Sequence, residues 1–357
     1  MRSVLGLWAI IAVICVGYLL FWPVPVDPKS WDAQADAGYR GPYAQNQRLA
    51  ELEFIDLDGR HGPEDVAIGP DGLLYIATHE GEILRCAPDS GTAQQFAVTG
   101  GRPLGIEFGP DGVLYVADAY RGLLALDAAG TVTLLADSAG GVPILYADDV
   151  DVAADGSVYF TDASTRFGAE QHGGTLQASI LDLVEHSKSG RVLRYDPATG
   201  ETEVFADGLA FPNGLAIGPD GAVWVVETGT YSVWRYPPQG GGRGLVVGNL
   251  PGFPDNINRA PDGTFWVGLV SPRNAVMDML SARPSLRKAI MRLPESMKPK
   301  PKRYGFVLRI DGSGAVVETL QDPNGRYALT TGAITAADGS IYVSSLTESR
   351  LGVLRPH

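Results

Sequence analysis

FPDNINRAPDGTFWVG, residues 253–268, sets an acid–amide pair eight residues ahead of a Gly whose Asp-Gly turn opens an apolar strand. Asp and Asn are poor strand formers, and a carboxylate at the head of a core strand is costly unless something binds it. The turn recurs. PDGLLYIAT (Gly72), PDGVLYVAD (Gly112), ADGSVYFTD (Gly156), PDGAVWVVE (Gly221), PDGTFWVGL (Gly263) and ADGSIYVSS (Gly339) make six copies. A short alternating segment such as DVAIG, GIEFG, DVDVA, GLAIG or AITAA precedes the turn in other copies. A fixed aromatic follows it: Tyr75, Tyr115, Tyr159, Trp224, Trp266 or Tyr342. A third strand comes next, as in EILRCA, GLLALD, RVLRYD and SVWRYP. Strand, hairpin, strand and strand at about 40 residues per unit is the pattern of a propeller blade. Six units predict an all-β, six-bladed β-propeller over residues 48–357, with AELEFIDL (50–57) supplying the outermost strand of the last blade.

Composition agrees. The 357 residues include 45 Gly and 25 Pro with only 9% aromatics, which suits many short strands and tight turns. A net charge of −13 argues against nucleic-acid binding through phosphate neutralisation. Residues 3–22 form an uncharged apolar run of 20, about the length that crosses a bilayer as a helix. Arg2 precedes this run and no small-x-small cleavage site follows it directly, so residues 1–24 read as an uncleaved transmembrane anchor. Residues 25–47 read as a linker. Positive-inside logic puts the N-terminus in the cytoplasm and the propeller on the periplasmic or extracellular side. Cys15 lies in the anchor and Cys86 is the only other Cys, so the body has no internal disulfide.

The innermost strand of each blade lines the channel, so equivalent positions meet around the axis. Eight residues before each turn Gly stand Glu64, Leu104, Asp148, Asn213, Asp255 and Thr331. Three carboxylates converging on one axis repel strongly in a low-dielectric channel, and a hard cation resolves the conflict. Oxygen donors without His or Cys favour Ca²⁺, held by Glu64, Asp148, Asn213 and Asp255. The bland alternative is that these side chains cap strand ends. One residue on, Asp65 and Asp149 are candidates for a second ion or for ordinary hydrogen bonding. Six residues after each turn, the same mouth should receive Thr78, Asp118, Asp162, Glu227, Leu269 and Ser345. Asp118, Asp162 and Glu227 are therefore candidate rim residues that orient ligands, or loop-end hydrogen bonders. His79 is the nearest His to this rim by phase.

Two intervals between turns are long, 65 residues from Gly156 to Gly221 and 76 from Gly263 to Gly339. The extra segments predict short helical lids on the metal side, about 170–188 and 274–303, the second interrupted at Pro284. Adaptable apolar surface with Met277 and Met291 reads as a cover over an apolar substrate. Arg287, Lys288, Arg292, Lys298, Lys300, Lys302 and Arg303 leave membrane contact, or packing on the flank, as alternatives.

GPEDVAIGPDG, FPNGLAIGPDG, PGFPDNINRAPDGTFWVG and SARPSLRKAIMRL resemble the strictosidine synthase-like propellers, in particular their adipocyte plasma membrane-associated protein-like branch. More distantly, the ligand pattern is similar to paraoxonases and gluconolactonase-type lactonases. The resemblance implies a channel calcium on Glu64, Asp148, Asn213 and Asp255, with Asp148 standing where much of the group has Asn. It implies a second calcium at Asp65 and Asp149. It does not carry strictosidine-type condensation, since the Glu that reaction uses falls at about Gly332, nor a paraoxonase-type His, since that position is Leu104. The expected activity is calcium-dependent hydrolysis of a small apolar ester or lactone, with Asp255 and Glu64 as catalytic groups. The rival is a non-enzymatic, membrane-anchored binding or scaffold propeller with structural calcium.

Overall fold

The computed structural model describes residues 2–356, with the side chains of residues 2–5, 9 and 12 outside the description. Six four-stranded antiparallel sheets follow in chain order. Their innermost strands are Val66–Ile68, Pro103–Phe108, Ala147–Val152, Pro212–Ile217, Gly252–Arg259 and Thr330–Thr335. Each touches the next around the ring, and the first touches the last. The ring closes as expected: Glu53–Asp56 pairs antiparallel with Arg350–Leu354, putting an N-terminal strand outside three C-terminal ones. Unlike a blade made of consecutive strands, this one ties the two ends of the domain together.

The repeated turns follow from local chemistry. In the first blade Gly72 adopts φ +76°, the left-handed conformation that closes a three-residue hairpin loop. The Asp71 carboxylate accepts from Leu73 N and from the Tyr75 hydroxyl, linking the turn to the blade's fixed aromatic. Gly69 is needed because a Cβ there would lie 2.6 Å from the Tyr75 ring. The aromatics are all buried between sheets.

Arg2–Phe21 is helical (α1), and side chains such as Leu7, Ile10, Val13, Ile14 and Phe21 are exposed. Among the described residues no helix is long and apolar enough to cross a membrane. The two long intervals hold short helices, as the sequence predicts: α2 (Thr175–Glu185), α3 (Ala275–Met279) and α4 (Pro284–Ile290). Asn274 caps α3 by accepting from Val276 N and Met277 N, and Pro284 opens α4 at the position where a missing N–H does least harm.

Candidate functional site

Five of the six innermost strands break register at the same place. In the third blade Ala147 pairs with Asp162 and the next pair is Val150 with Phe160, so three steps on one strand match two on its neighbour. The same bulge skips Leu104–Gly105, Asn213–Gly214, Asp255–Asn256 and Thr331–Gly332. A bulge re-aims side chains that a regular strand would send to opposite faces. It brings two successive phases of the repeat into the channel.

Glu64, Asp148, Asn213 and Asp255 are 3%, 4%, 7% and 4% exposed. Glu64, Asp148 and Asp255 lie near enough for their charges to act on one another. Burial first, then the charges of Glu64 and Asp148, push the Asp255 carboxyl well above its ordinary range. Burial and then the Glu64 charge do the same to Asp148. Asp148 Oδ2 and Asn213 Oδ1 are buried without any hydrogen-bond partner, so the strand-capping alternative leaves both atoms unexplained. An all-oxygen donor set with excess negative charge and two orphaned oxygens fits a hard divalent cation.

The sequence reading missed Arg102. Its guanidinium, 2% exposed, donates to Glu64 Oε2 at 3.0 Å and to Pro103 O at 2.9 Å. Burial still raises the Glu64 pKa despite this partner. Among the described residues, no group of three or more His, Cys, Asp or Glu is gathered tightly enough to hold a metal. Arg102 could have been found by counting ten residues back from the turn Gly. That phase reads Gly62, Arg102, Tyr146, Phe211, Phe253 and Leu329, a set that is mainly aromatic and apolar. Tyr146 and Phe211 meet edge to face at 5.3 Å. The Tyr146 hydroxyl donates to Thr175 O at the start of α2, and nearby Asp148, Glu64 and Asp255 add to the effect of burial in raising its pKa.

Below this level Asp65 accepts from Ile106 N (3.0 Å) and Asn258 Nδ2 (3.3 Å), while Asp149 accepts from Leu215 N (2.7 Å) and Val150 N (2.8 Å). Both carboxylates thus stitch one blade to the next, as the hydrogen-bonding alternative has it. The intervening blade must have Gly: a Cβ on Gly105 would lie 2.2 Å from Asp149 Oδ1. Two further acids, Glu107 and Asp151, continue the acidic column. Burial, and then the Asp151 charge, lifts Glu107 to about 8.

The expected rim requires correction. Asp118, Asp162 and Glu227 are fully buried and do not line an open mouth. One oxygen of each carboxylate accepts from backbone at the start of its own blade's innermost strand, while Asp118 Oδ2 and Glu227 Oε2 are buried without a hydrogen-bond partner. Asp118 Oδ1 accepts from Arg102 N, Asp162 Oδ1 from Tyr146 N, and Glu227 Oε1 from Ala210 N. Asp162 also binds Arg191 at 2.9 Å, and Glu227 binds Arg243 at 3.0 Å. They brace the strand that bears the channel oxygens. His79 is exposed at the surface.

Residues 41–86 match the family model "Strictosidine synthase-like, N-terminal" and residues 148–239 match "Strictosidine synthase". The adipocyte plasma membrane-associated protein of Salmo salar is 34% identical over 96% of this chain and 86% of its own length. Strictosidine synthase-like protein 3 of Arabidopsis thaliana is 34% identical over 85% of each chain. Among solved structures, a gluconolactonase from Xanthomonas campestris superposes with TM-score 0.62 at 18% identity, covering 93% of this chain and 96% of its own. Regucalcin from Agrobacterium tumefaciens, described as a calcium-binding protein, gives 0.59 at 16%, covering 85% and 93%. At these identities the structural likeness establishes the propeller fold.

Proposed function

The chain belongs to the strictosidine synthase-like family, and we propose that it is a calcium-dependent hydrolase of small apolar esters or lactones, anchored at a membrane through the uncharged apolar run of residues 3–22. The observation that carries this reading is the burial of Glu64, Asp148, Asn213 and Asp255, with two orphaned oxygens and carboxylates whose charges act on one another, beside the buried apolar cluster of Leu104, Tyr146 and Phe211. These four residues would hold the ion. When bound it supplies Lewis-acid polarisation of a carbonyl and stabilises developing negative charge. Tyr146, Phe211 and Leu104 exclude water and seat the apolar part of the ester. Asp255 is the carboxylate for the proton-accepting or nucleophilic role, because Glu64 is engaged by Arg102. The gluconolactonase likeness supports a lactone as one substrate class. The length and apolarity of residues 3–22 support the anchor, with the propeller on the periplasmic or extracellular side.

Full-length protein assayed on aryl acetates and γ-lactones tests the reading. Activity lost with chelator, restored by Ca²⁺ and abolished in D255N is the expected result. A folded, calcium-bound and inert protein would favour the binding-propeller alternative, to which the Glu64–Arg102 pair lends some support by leaving Glu64 without a free oxygen pair.

A further inference from the structure

The segment between α1 and the propeller is not a free linker. Val26 is 2% exposed and packs in one buried cluster with Leu104, Tyr146, Phe211, Phe167 and Val184, of which Tyr146 lies beside the carboxylates of the acidic centre; the space that Val26 takes up among them is called the vestibule. Its neighbours are pinned on both sides. Asp27 N donates to Glu185 Oε2 and Lys29 N to Glu185 O, each at 2.7 Å, at the end of α2. From α4 the buried Arg287 donates to Lys29 O and, at 2.8 Å, to Val184 O, so one side chain joins both lid helices to the segment. Trp31 stacks on His186 at 4.4 Å with 14° between planes, and its backbone N–H donates to Ser281 O. Burial, followed by the charges of Arg287 and Lys188, lowers His186 to about 3, which keeps the stacked ring neutral.

We infer that residues 24–29 form an internal strap whose Val26 fills the place of a substrate's apolar group, so that the vestibule admits a ligand only when the strap lifts from α2 and α4. The ligand class, an apolar ester or lactone, rests on the hydrolase reading; the occlusion does not. The apolar hold of the strap is Val26 with Val24 packed against the same cluster, so a ligand of equal or greater apolar area can displace them. The strap's polar contacts are hydrogen bonds to Glu185 and Arg287 and the Lys288–Asp27 pair, which water can replace on opening.

The test is access to the vestibule floor in the full-length chain. A Leu104→Cys reporter in a Cys15→Ser background is labelled with an aryl maleimide; Cys86 is buried, and burial lifts its thiol to about 11, so it stays silent. Phe211→Cys serves as the reporter if Leu104→Cys fails to fold. Labelling should quicken by about tenfold or more when Val26→Ala or Val26→Asp is added, in parallel with faster amide exchange at Asp27 and Lys29. That factor corresponds to roughly 1.4 kcal/mol of strap closure. Equal labelling rates with Val, Ala and Asp at position 26 would overturn the strap. Faster labelling without any ester or lactone hydrolysis keeps the strap and rejects the hydrolase. With both correct, Val26→Ala lowers KM and leaves kcat within about twofold.

Discussion

Arg102 and Glu64 form an ion pair in which both partners are buried, so neither can be removed without leaving a charge stranded. Arg102 also brings a positive charge to the site where a cation would bind. We therefore expect R102M to destabilise the calcium-free protein, by about 3–5 kcal/mol if the usual loss for a broken buried pair applies. The same change should tighten Ca²⁺ binding by at least about tenfold, because Glu64 is released and a repelling charge is lost. Thermal melts with and without Ca²⁺, together with calorimetric titration, check both parts; unchanged affinity would mean that Arg102 and the ion do not compete. Glu107 gives a pH signature. Its folded pKa, about 8, lies above its ordinary 4.5, so the folded state holds a proton that the unfolded chain releases. That contribution is fully present below about pH 4.5 and is lost as pH rises through 8. E107Q should thus stabilise the protein at pH 8.5 and change it little at pH 4, as read by denaturant melts. Of these two residues, neither was singled out in the sequence. Arg102 lies two positions outside the acidic phase, and Glu107 lies three beyond it, among side chains that a regular strand would alternate across the sheet.

Bulged strands explain why the site was legible only in part. Counting back from the Asp-Gly turns finds Glu64, Asp148, Asn213 and Asp255 because the extra residue recurs at one place in the repeat. The same count placed Asp118, Asp162 and Glu227 at the rim, since it follows chain distance and not side-chain direction. In the structure they turn into the blade and accept backbone N–H groups. The closing strand, by contrast, was readable from its alternation and from the missing fourth strand. Ile55 on that strand is 2% exposed and pairs with Leu351. Placing a carboxylate there with I55D should cost about 3 kcal/mol or more, through lost apolar burial and a buried charge. Denaturant unfolding should show one cooperative transition at lower midpoint. A variant with unchanged stability would show that the strand is not what fastens the ring.

At the scale of the molecule, six similar sheets direct their least similar residues to a common axis. The blades are alike at turns and aromatics, where each must fold in the same way, and differ at the channel, where their side chains act as a set. The ring, its closure and the helices in the two long intervals were foreseeable from the repeat and its spacing. The strap was not, because what holds residues 24–29 comes from α2 and α4, more than 140 positions away along the chain. The central claim is that this axis holds a divalent ion. The most direct measurement is calorimetric titration of the chelator-treated, full-length protein with Ca²⁺ at pH 7.5, beside E64Q, D148N and D255N. The account predicts saturable binding to the parent that weakens by at least about tenfold in each variant, as expected when one charged ligand of a calcium site becomes neutral. Absence of binding to the folded parent, or binding that all three variants retain unchanged, would contradict it.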